Sequence, residues 1–237
     1  MYDSEIIDNI RNNLKNNIDA KYKATAQNYF IEEIKNYGVR TAIVKQISKE
    51  SFKQISDLKK NDIFSLCEVF LESGYIEESF IVFKWADYIS KDFEKRDFKI
   101  LELWLNKYIT NWASCDTLCN HAIGNFIVMY PAYISNLKEW TKSNNRWVRR
   151  GSAVSLIAPA RKGLFLNDVL EISSMLLNDK DDLVQKGYGW MLKEASRMHQ
   201  KKIFDFVKEN KTIMPRTALR YAIEKMPEKL RKESMKK

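Results

Sequence analysis

Apolar residues recur along this chain at three- and four-residue intervals, the period of an α-helix with one buried face. Ile76, Phe80, Phe83 and Ala86 make one such stripe, and Phe98, Leu101, Leu105 and Tyr108 make a second. Leu164, Val169, Ile172 and Leu176 make a third, followed by Val184, Tyr188, Met191 and Ala195. Short alternating runs bounded by turn dipeptides, the mark of strands, are not found. The chain therefore reads as all-α. Gly38, Gly74, the Asn144-Asn145 pair, Gly163, Asp179 to Asp182 and Pro215 punctuate it, cutting it into helices of about 10–18 residues. Short connections set consecutive helices antiparallel, and roughly a dozen without a flexible linker predict stacked pairs rather than one bundle.

Such stacking implies a HEAT- or armadillo-like superhelix whose concave face does the binding. A repeat of about 40 residues is compatible with the spacing, although self-similarity between residues is too weak to fix a period. A single helical-repeat domain over residues 1–237 is expected, with the charged run Glu228 to Lys237 frayed at its end.

Charge sharpens this picture. The chain of 237 residues carries a net charge of +9, which favours an anionic partner. Residues 136–237 hold 23 Lys/Arg against 12 Asp/Glu, while residues 1–135 hold 17 against 19. The excess lies wholly in the C-terminal part and predicts one basic, concave face. With 45% apolar and 12% aromatic residues the chain can bury a large core, which excludes disorder. Cys67, Cys115 and Cys119 form no disulfide framework and fit a reducing compartment. The Met1-Tyr2-Asp3-Ser4-Glu5 start is polar and unlike a secretory signal, and no apolar run reaches the ~18 residues of a membrane span. A cytoplasmic protein is expected.

Few residues can do chemistry. Trp112 and Asp116 lie four apart, so a helix would put indole and carboxylate on one face, one turn apart. The same pair also reads as a half-buried Trp beside a surface Asp. Lys142, Arg146, Arg149 and Arg150 recur at helical intervals; they suit phosphate oxygens, or form a solvated face. Lys186, Trp190, Lys193 and Arg197 oppose the apolar stripe of their own segment, and an indole on a polar face is unusual. Gly187 and Gly189 in this turn suggest the close approach of a backbone or ligand. Cys115, Cys119 and His121 fall short of a zinc site, so no metal is expected. No triad signature or glycine-rich phosphate loop is present. Glu77-Glu78 and Asp181-Asp182 read as solvated first turns that favour the helix dipole.

In order, Tyr29, Tyr37-Gly-Val-Arg-Thr41, Asn111-Trp-Ala-Ser-Cys-Asp116, Trp147-Val-Arg-Arg150, Val184-Gln-Lys-Gly-Tyr-Gly-Trp-Met-Leu-Lys-Glu194 and the Leu219 to Glu224 helix form a larger pattern. Over residues 20–225 it resembles the AlkD-type HEAT-like alkylpurine DNA glycosylases. Ala113 departs from it, standing where an acid is often seen, and Gly-Tyr-Gly replaces a more helix-friendly run. The resemblance implies that Asp116 is the catalytic carboxylate. It implies that Trp112 and Trp190 flank the damaged nucleotide, Arg150 contacts phosphate and Tyr29 borders the groove. Arg149, Lys186 and Lys193 are the further candidates for DNA contact.

The implied activity is hydrolysis of the N-glycosidic bond of cationic N3- or N7-alkylated purines in duplex DNA, by a monofunctional enzyme without metal or cofactor. It would be a monomer acting on the nucleoid. Two alternatives stand beside it: a catalytically silent DNA-binding relative, and a helical-repeat scaffold for proteins with apolar anchors on its concave face.

Overall fold

We describe the protein from a computed structural model, covering residues 4–236; Met1, Tyr2 and Asp3 of the polar start, and Lys237 at the other end, lie outside the described residues. The chain folds as α1 (Ser4–Asn16), α2 (Ala20–Ala26), α3 (Thr41–Ile55), α4 (Lys60–Leu71), α5 (Ile76–Tyr88) and α6 (Phe98–Lys107). Next comes α7 (Trp112–Thr117), which runs through a π-helical stretch, Leu118–Ile123, into α8 (Gly124–Met129). Then follow α9 (Ile134–Trp140), α10 (Arg146–Val154), α11 (Ile157–Arg161), α12 (Leu166–Met175), α13 (Asp182–Asn210), α14 (Arg216–Ile223) and α15 (Glu228–Met235). Among the described residues the sole β feature is an isolated parallel bridge between Lys35 and Tyr75. The all-α helical-repeat reading is found.

A repeat emerges from the helix starts. Helices α3, α5, α7, α10, α13 and α14 begin at residues 41, 76, 112, 146, 182 and 216, intervals of 35, 36, 34, 36 and 34. Contacts between neighbours join residues at similar depth in each helix, so these helices run parallel in one layer. Trp85 Nε1 donates to the Ser48 carbonyl at 3.1 Å, Asn125 Nδ2 to Asp87 at 3.0 Å, and Arg150 both to Asp116 and to the Leu183 carbonyl. Helices α4, α6, α9 and α12, the second half of α13, and α15 return the chain and form the other layer. There the indoles mark the repeat: Trp104 Nε1 donates to Glu68 at 3.3 Å and Trp140 Nε1 to Glu102 at 2.7 Å. The unit is thus nearer 35 residues than 40.

Several local readings change. Helix α13 is 29 residues long, well beyond the expected range, because two helices join across a kink at His199 (φ −128°, ψ 42°). Leu164 is not in a helical stripe. It is exposed in the turn between Gly163 (φ 82°) and Phe165 (φ 58°), which redirects the chain before α12. The C-terminal run, expected to fray, is helical to Met235, with Ser234 buried and Leu230 and Met235 packed on the core.

The largest correction concerns Glu77 and Glu78, which are buried rather than solvated. Glu77 accepts the backbone N–H groups of Tyr37, Gly38 and Val39 at 3.0, 2.9 and 3.1 Å. Gly38 sits at φ 89°, where an added Cβ would also strike Lys23, and this lets the three amides converge on one carboxylate. Glu78 takes two bonds from Arg11, both 3.1 Å, and one from the Tyr37 hydroxyl at 2.6 Å. Burial and that bond to Glu78 push the Tyr37 hydroxyl well above its ordinary range. Together these acids fasten α1 and the long loop after α2 to the first layer.

Removing the Glu77 carboxylate orphans three buried donors, at about 1–3 kcal/mol each. Glu77→Ala is expected to lower stability by at least about 3 kcal/mol; urea denaturation checks this. Gly189→Ala is expected to destabilise by about 1–3 kcal/mol, because the new Cβ would lie 2.7 Å from Tyr221 Cβ and 2.8 Å from the Ala218 carbonyl oxygen. Thermal melting of that variant reads the loss.

Candidate functional site

Three consecutive units of the first layer begin with the same device. Asn111 caps α7 by accepting from the Ser114 N–H at 2.9 Å, and Asn145 caps α10 by accepting from the Trp147 N–H at 2.9 Å. Asp181 caps α13 by accepting from the Leu183 and Val184 N–H groups at 2.9 and 3.2 Å. A side-chain acceptor at this position satisfies otherwise orphaned amides and fixes where the helix starts. The first turns of α7, α10 and α13 are thereby held side by side. Asp116 lies one turn into α7, Arg150 one turn into α10, and Lys186 and Trp190 one and two turns into α13.

These turns open onto a cleft of about 530 Å³, closed on one side by Tyr221 of α14 and on another by the loop after α2. Tyr29, Trp112, Asp116, Arg150, Lys186, Trp190 and Lys193 all line it. Arg149 does not. Its Nε donates to Asp179 at 2.7 Å and its Nη1 to the Ser143 carbonyl at 2.8 Å, so it braces the turn before α10 and the cap of α13.

At the centre Arg150 grips Asp116 with two parallel bonds, Nε to Oδ1 and Nη2 to Oδ2, both 2.8 Å. Arg150 Nη1 donates to the Leu183 carbonyl, tying the pair to α13. The Arg150 side chain is 6% exposed and that of Asp116 15%. Burial pushes the Asp116 carboxyl above its ordinary value, and the Arg150 guanidinium, bonded to both oxygens, opposes that rise. The pair stays ionised because a guanidinium does not deprotonate and its fork matches a carboxylate. Gly187 makes room for it: a Cβ there would stand 3.3 Å from Arg150 Cγ. Gly151 lets α10 close on α6, where a Cβ would stand 2.8 Å from Leu105 Cδ2.

Aromatic groups form the walls. Trp112 stacks on Phe30, with ring centroids 5.6 Å apart and planes 24° apart, and its Nε1 donates to the Tyr29 carbonyl at 3.1 Å. Trp190 is half-buried, with part of its ring on the core and part in the cleft. Tyr29 is 69% exposed and Ile31 88%, so the loop after α2 presents an uncovered apolar rim. Glu32 anchors that rim through Arg146 at 3.0 Å, and Arg146 reaches Asp181 at 2.7 Å.

The cleft is less positive than the bulk charge suggests, since each of its cations has an acidic partner. Lys186 pairs with Asp182 at 2.6 Å, and Lys193 with Glu224 at 3.0 Å. Asp182 is held below its usual range, chiefly by the bond from Lys186. Cys115 is buried beside Asp116, and burial raises its thiol well above the ordinary value, which leaves it a poor nucleophile. Among the described residues no three His, Cys, Asp or Glu are grouped to hold a metal ion, and no helix is long and apolar enough to cross a membrane. Ile31, Glu32, Leu183 and Tyr221 complete the lining and were not singled out from sequence. The consecutive apolar run Tyr29-Phe30-Ile31, set between two helices, was the available signal for the rim.

The sequence profile described as DNA alkylation repair enzyme matches residues 10–226. No curated protein matches. Among solved structures, the chain is similar to a predicted DNA alkylation repair enzyme from Enterococcus faecalis: TM-score 0.79, 14% identity, covering 89% of this chain and 97% of that one. It is also similar to the Pseudomonas fluorescens alkylpurine DNA glycosylase AlkC, solved bound to DNA containing an abasic site analog. That TM-score is 0.52, with 15% identity over 94% of this chain and 62% of that one. These likenesses carry the fold.

Breaking a buried ion pair from one side leaves an uncompensated charge, which costs about 3–5 kcal/mol. Arg150→Met is expected to lose stability in that range, and Asp116→Asn less, because its amide still accepts one bond. Chemical denaturation of both variants checks the order.

Proposed function

Because the chain belongs to the DNA alkylation repair enzyme family, we propose that it is a monofunctional DNA glycosylase that hydrolyses the N-glycosidic bond of cationic N3- or N7-alkylated purines in duplex DNA. The observation that supports this best is the convergence of Asp116, Arg150, Trp112, Trp190 and Tyr29 on one cleft. A purine alkylated at N3 or N7 already carries positive charge and leaves without protonation. Its departure turns the sugar into an oxocarbenium-like cation, as in glycoside hydrolysis.

Asp116 suits that cation. Arg150 occupies one lone pair on each carboxylate oxygen and leaves the others for the cleft. A fixed anion in a partly dry site stabilises developing positive charge without reorganising, and it orients a water for attack. Arg150, whose three guanidinium nitrogens are engaged by Asp116 and the Leu183 carbonyl, acts through Asp116, positioning it and keeping it ionised, in place of the phosphate contact expected from the resemblance. The faces of Trp112, Trp190 and Tyr29 add electron density around the cation. A base that is cationic while attached takes the bonding pair and leaves neutral, so it needs neither a proton nor a Lewis acid, and the proposed reaction calls for no metal or cofactor.

Binding falls to the rim. Lys186 and Lys193 sit in partly exposed pairs, which contribute little to stability and exchange readily for phosphate. The capped start of α13 adds the positive end of a helix dipole. The protein would act as a monomer in the cytoplasm, on nucleoid DNA.

One observation favours a catalytically silent DNA-binding protein: both Asp116 oxygens are engaged by Arg150, as they would be in a purely structural pair. That reading predicts salt-dependent duplex affinity with no base release.

Release of 7-methylguanine and 3-methyladenine from methylated duplex DNA is the test. Wild type is expected to release both, and Asp116→Asn to lose about 10²–10³-fold of the single-turnover rate; undiminished release by that variant would contradict the proposal. The pH profile has a definite sign. Since the Asp116 carboxyl is raised above its ordinary value of 3.8, background-corrected release should fall on the acid side through a pKa above that value. A plateau extending below pH 3.8 would contradict it.

A further inference from the structure

On the side of α7 away from Arg150, a second groove of about 360 Å³ crosses the first layer, lined by α3, α5 and α7. Lys45, Lys84 and His121 all line it, one from each of three successive units. Its charge differs from that of the cleft. Among the described residues Lys45 has no acidic partner. One carboxylate, Asp87, serves the other two: its Oδ2 lies 3.1 Å from Lys84 Nζ and 3.7 Å from His121 Nδ1, while its Oδ1 accepts from Asn125 at 3.0 Å. Two ammonium groups and an imidazole thus share a single acid. The crowding is felt at His121, where burial, then Lys84 and Lys45, hold the imidazole below its ordinary value and Asp87 opposes them. His121 itself comes from the π-helical stretch, a rare wide turn that recurs at functional sites.

We propose that this groove holds a backbone phosphate of the duplex, as a second anchor about three nucleotides from the sugar at Asp116. A phosphate oxyanion matches the charge that Asp87 leaves over, and lysine meets it as a point charge on a flexible stem. The exposed Thr41 hydroxyl at the groove's edge adds a further donor. Position agrees with charge. Thr41 and Phe80 also line the apolar hollow behind Trp112, and that hollow shares Tyr29 and Trp112 with the cleft, so groove and cleft are continuous. Packed helices stand about 8–10 Å apart and a strand advances about 3.4 Å per phosphate. The groove, centred on α5, therefore lies about three phosphates from α7. The inference rests on the proposed glycosylase reading for the placement of the duplex, but it is read by affinity, without catalysis.

The test measures binding of a duplex holding a tetrahydrofuran abasic analogue, by fluorescence anisotropy over a range of salt. Lys45→Gln/Lys84→Gln is expected to weaken binding about tenfold and to lower the slope of log affinity against log salt by about one. A scan of neutral methylphosphonates through each strand then locates the contact. In wild type one such substitution, about three phosphates from the analogue, should weaken binding; in the double variant it should cost nothing, because its partner is already gone. Circular dichroism melts confirm folding, and Lys45→Gln alone, at an exposed position, gives the same readings should the pair perturb it. Unchanged affinity and slope in the variants, or a methylphosphonate penalty that persists in them, would overturn the proposal. Inorganic phosphate titrated against the His121 ring NMR signals separates the two sources of phosphate. Signals that move with millimolar phosphate, while duplex affinity ignores the variants, assign the groove to a free anion and overturn the backbone contact. Binding through the groove by a wild type that releases no base keeps this site and removes the glycosylase reading. Base release by wild type, with affinity unaltered in the groove variants, does the reverse.

Discussion

A carboxylate can stabilise a positive sugar only if it is ionised, fixed and open on one side, and the Asp116–Arg150 pair supplies all three conditions. Two parallel 2.8 Å bonds orient the acid, and the guanidinium counters the desolvation that would otherwise neutralise it. Neither residue achieves this alone, since an isolated buried ion of either sign is costly. The pair also joins three units of the repeat: Asp116 belongs to α7, Arg150 to α10, and the Leu183 carbonyl that receives Arg150 belongs to α13.

The repeat makes that junction possible. Intervals of 34–36 residues bring equivalent first turns into register, and the caps Asn111, Asn145 and Asp181 set each turn at the same height. Small residues then let neighbours within that layer close. Gly187 admits the Arg150 stem, and Gly189 brings α13 against α14. On the far side, buried Glu77 and Glu78 pin the loop from which Tyr29, Ile31 and Glu32 reach back over the cleft. The wall of the site is thus built from a segment more than eighty residues away in sequence, held by the Trp112–Tyr29 and Glu32–Arg146 contacts.

Helical periodicity made the fold class legible, because one-sided burial leaves its mark in every window. The period of the repeat was hidden, since only positions such as Trp104 and Trp140, whose indoles reach a Glu of the preceding unit, carry it visibly. Trp112, Asp116, Arg150 and Trp190 were readable as a set through their order and spacing, and the cleft gathers them. Arg149 and the pair Glu77-Glu78 were misread for one shared reason. A charged residue in a first turn looks solvated in one dimension, whereas its partners lie about 30–40 residues away, one repeat unit on, or farther still in α1. The C-terminal charge excess does not by itself describe the cleft, since Lys186 and Lys193 each face an acid that a running sum does not locate.

The central claim is electrostatic: Asp116 meets a cation forming on the sugar. Transition-state mimics bind in proportion to how well they copy that charge. The direct measurement compares the affinity of wild type and Asp116→Asn for duplex DNA holding a cationic azasugar abasic analogue and for the same duplex holding a neutral tetrahydrofuran. The account predicts that wild type prefers the cationic duplex and that the variant loses the preference while keeping its affinity for the neutral one. Equal affinity of wild type for the two duplexes, or a preference that survives in the variant, would contradict it.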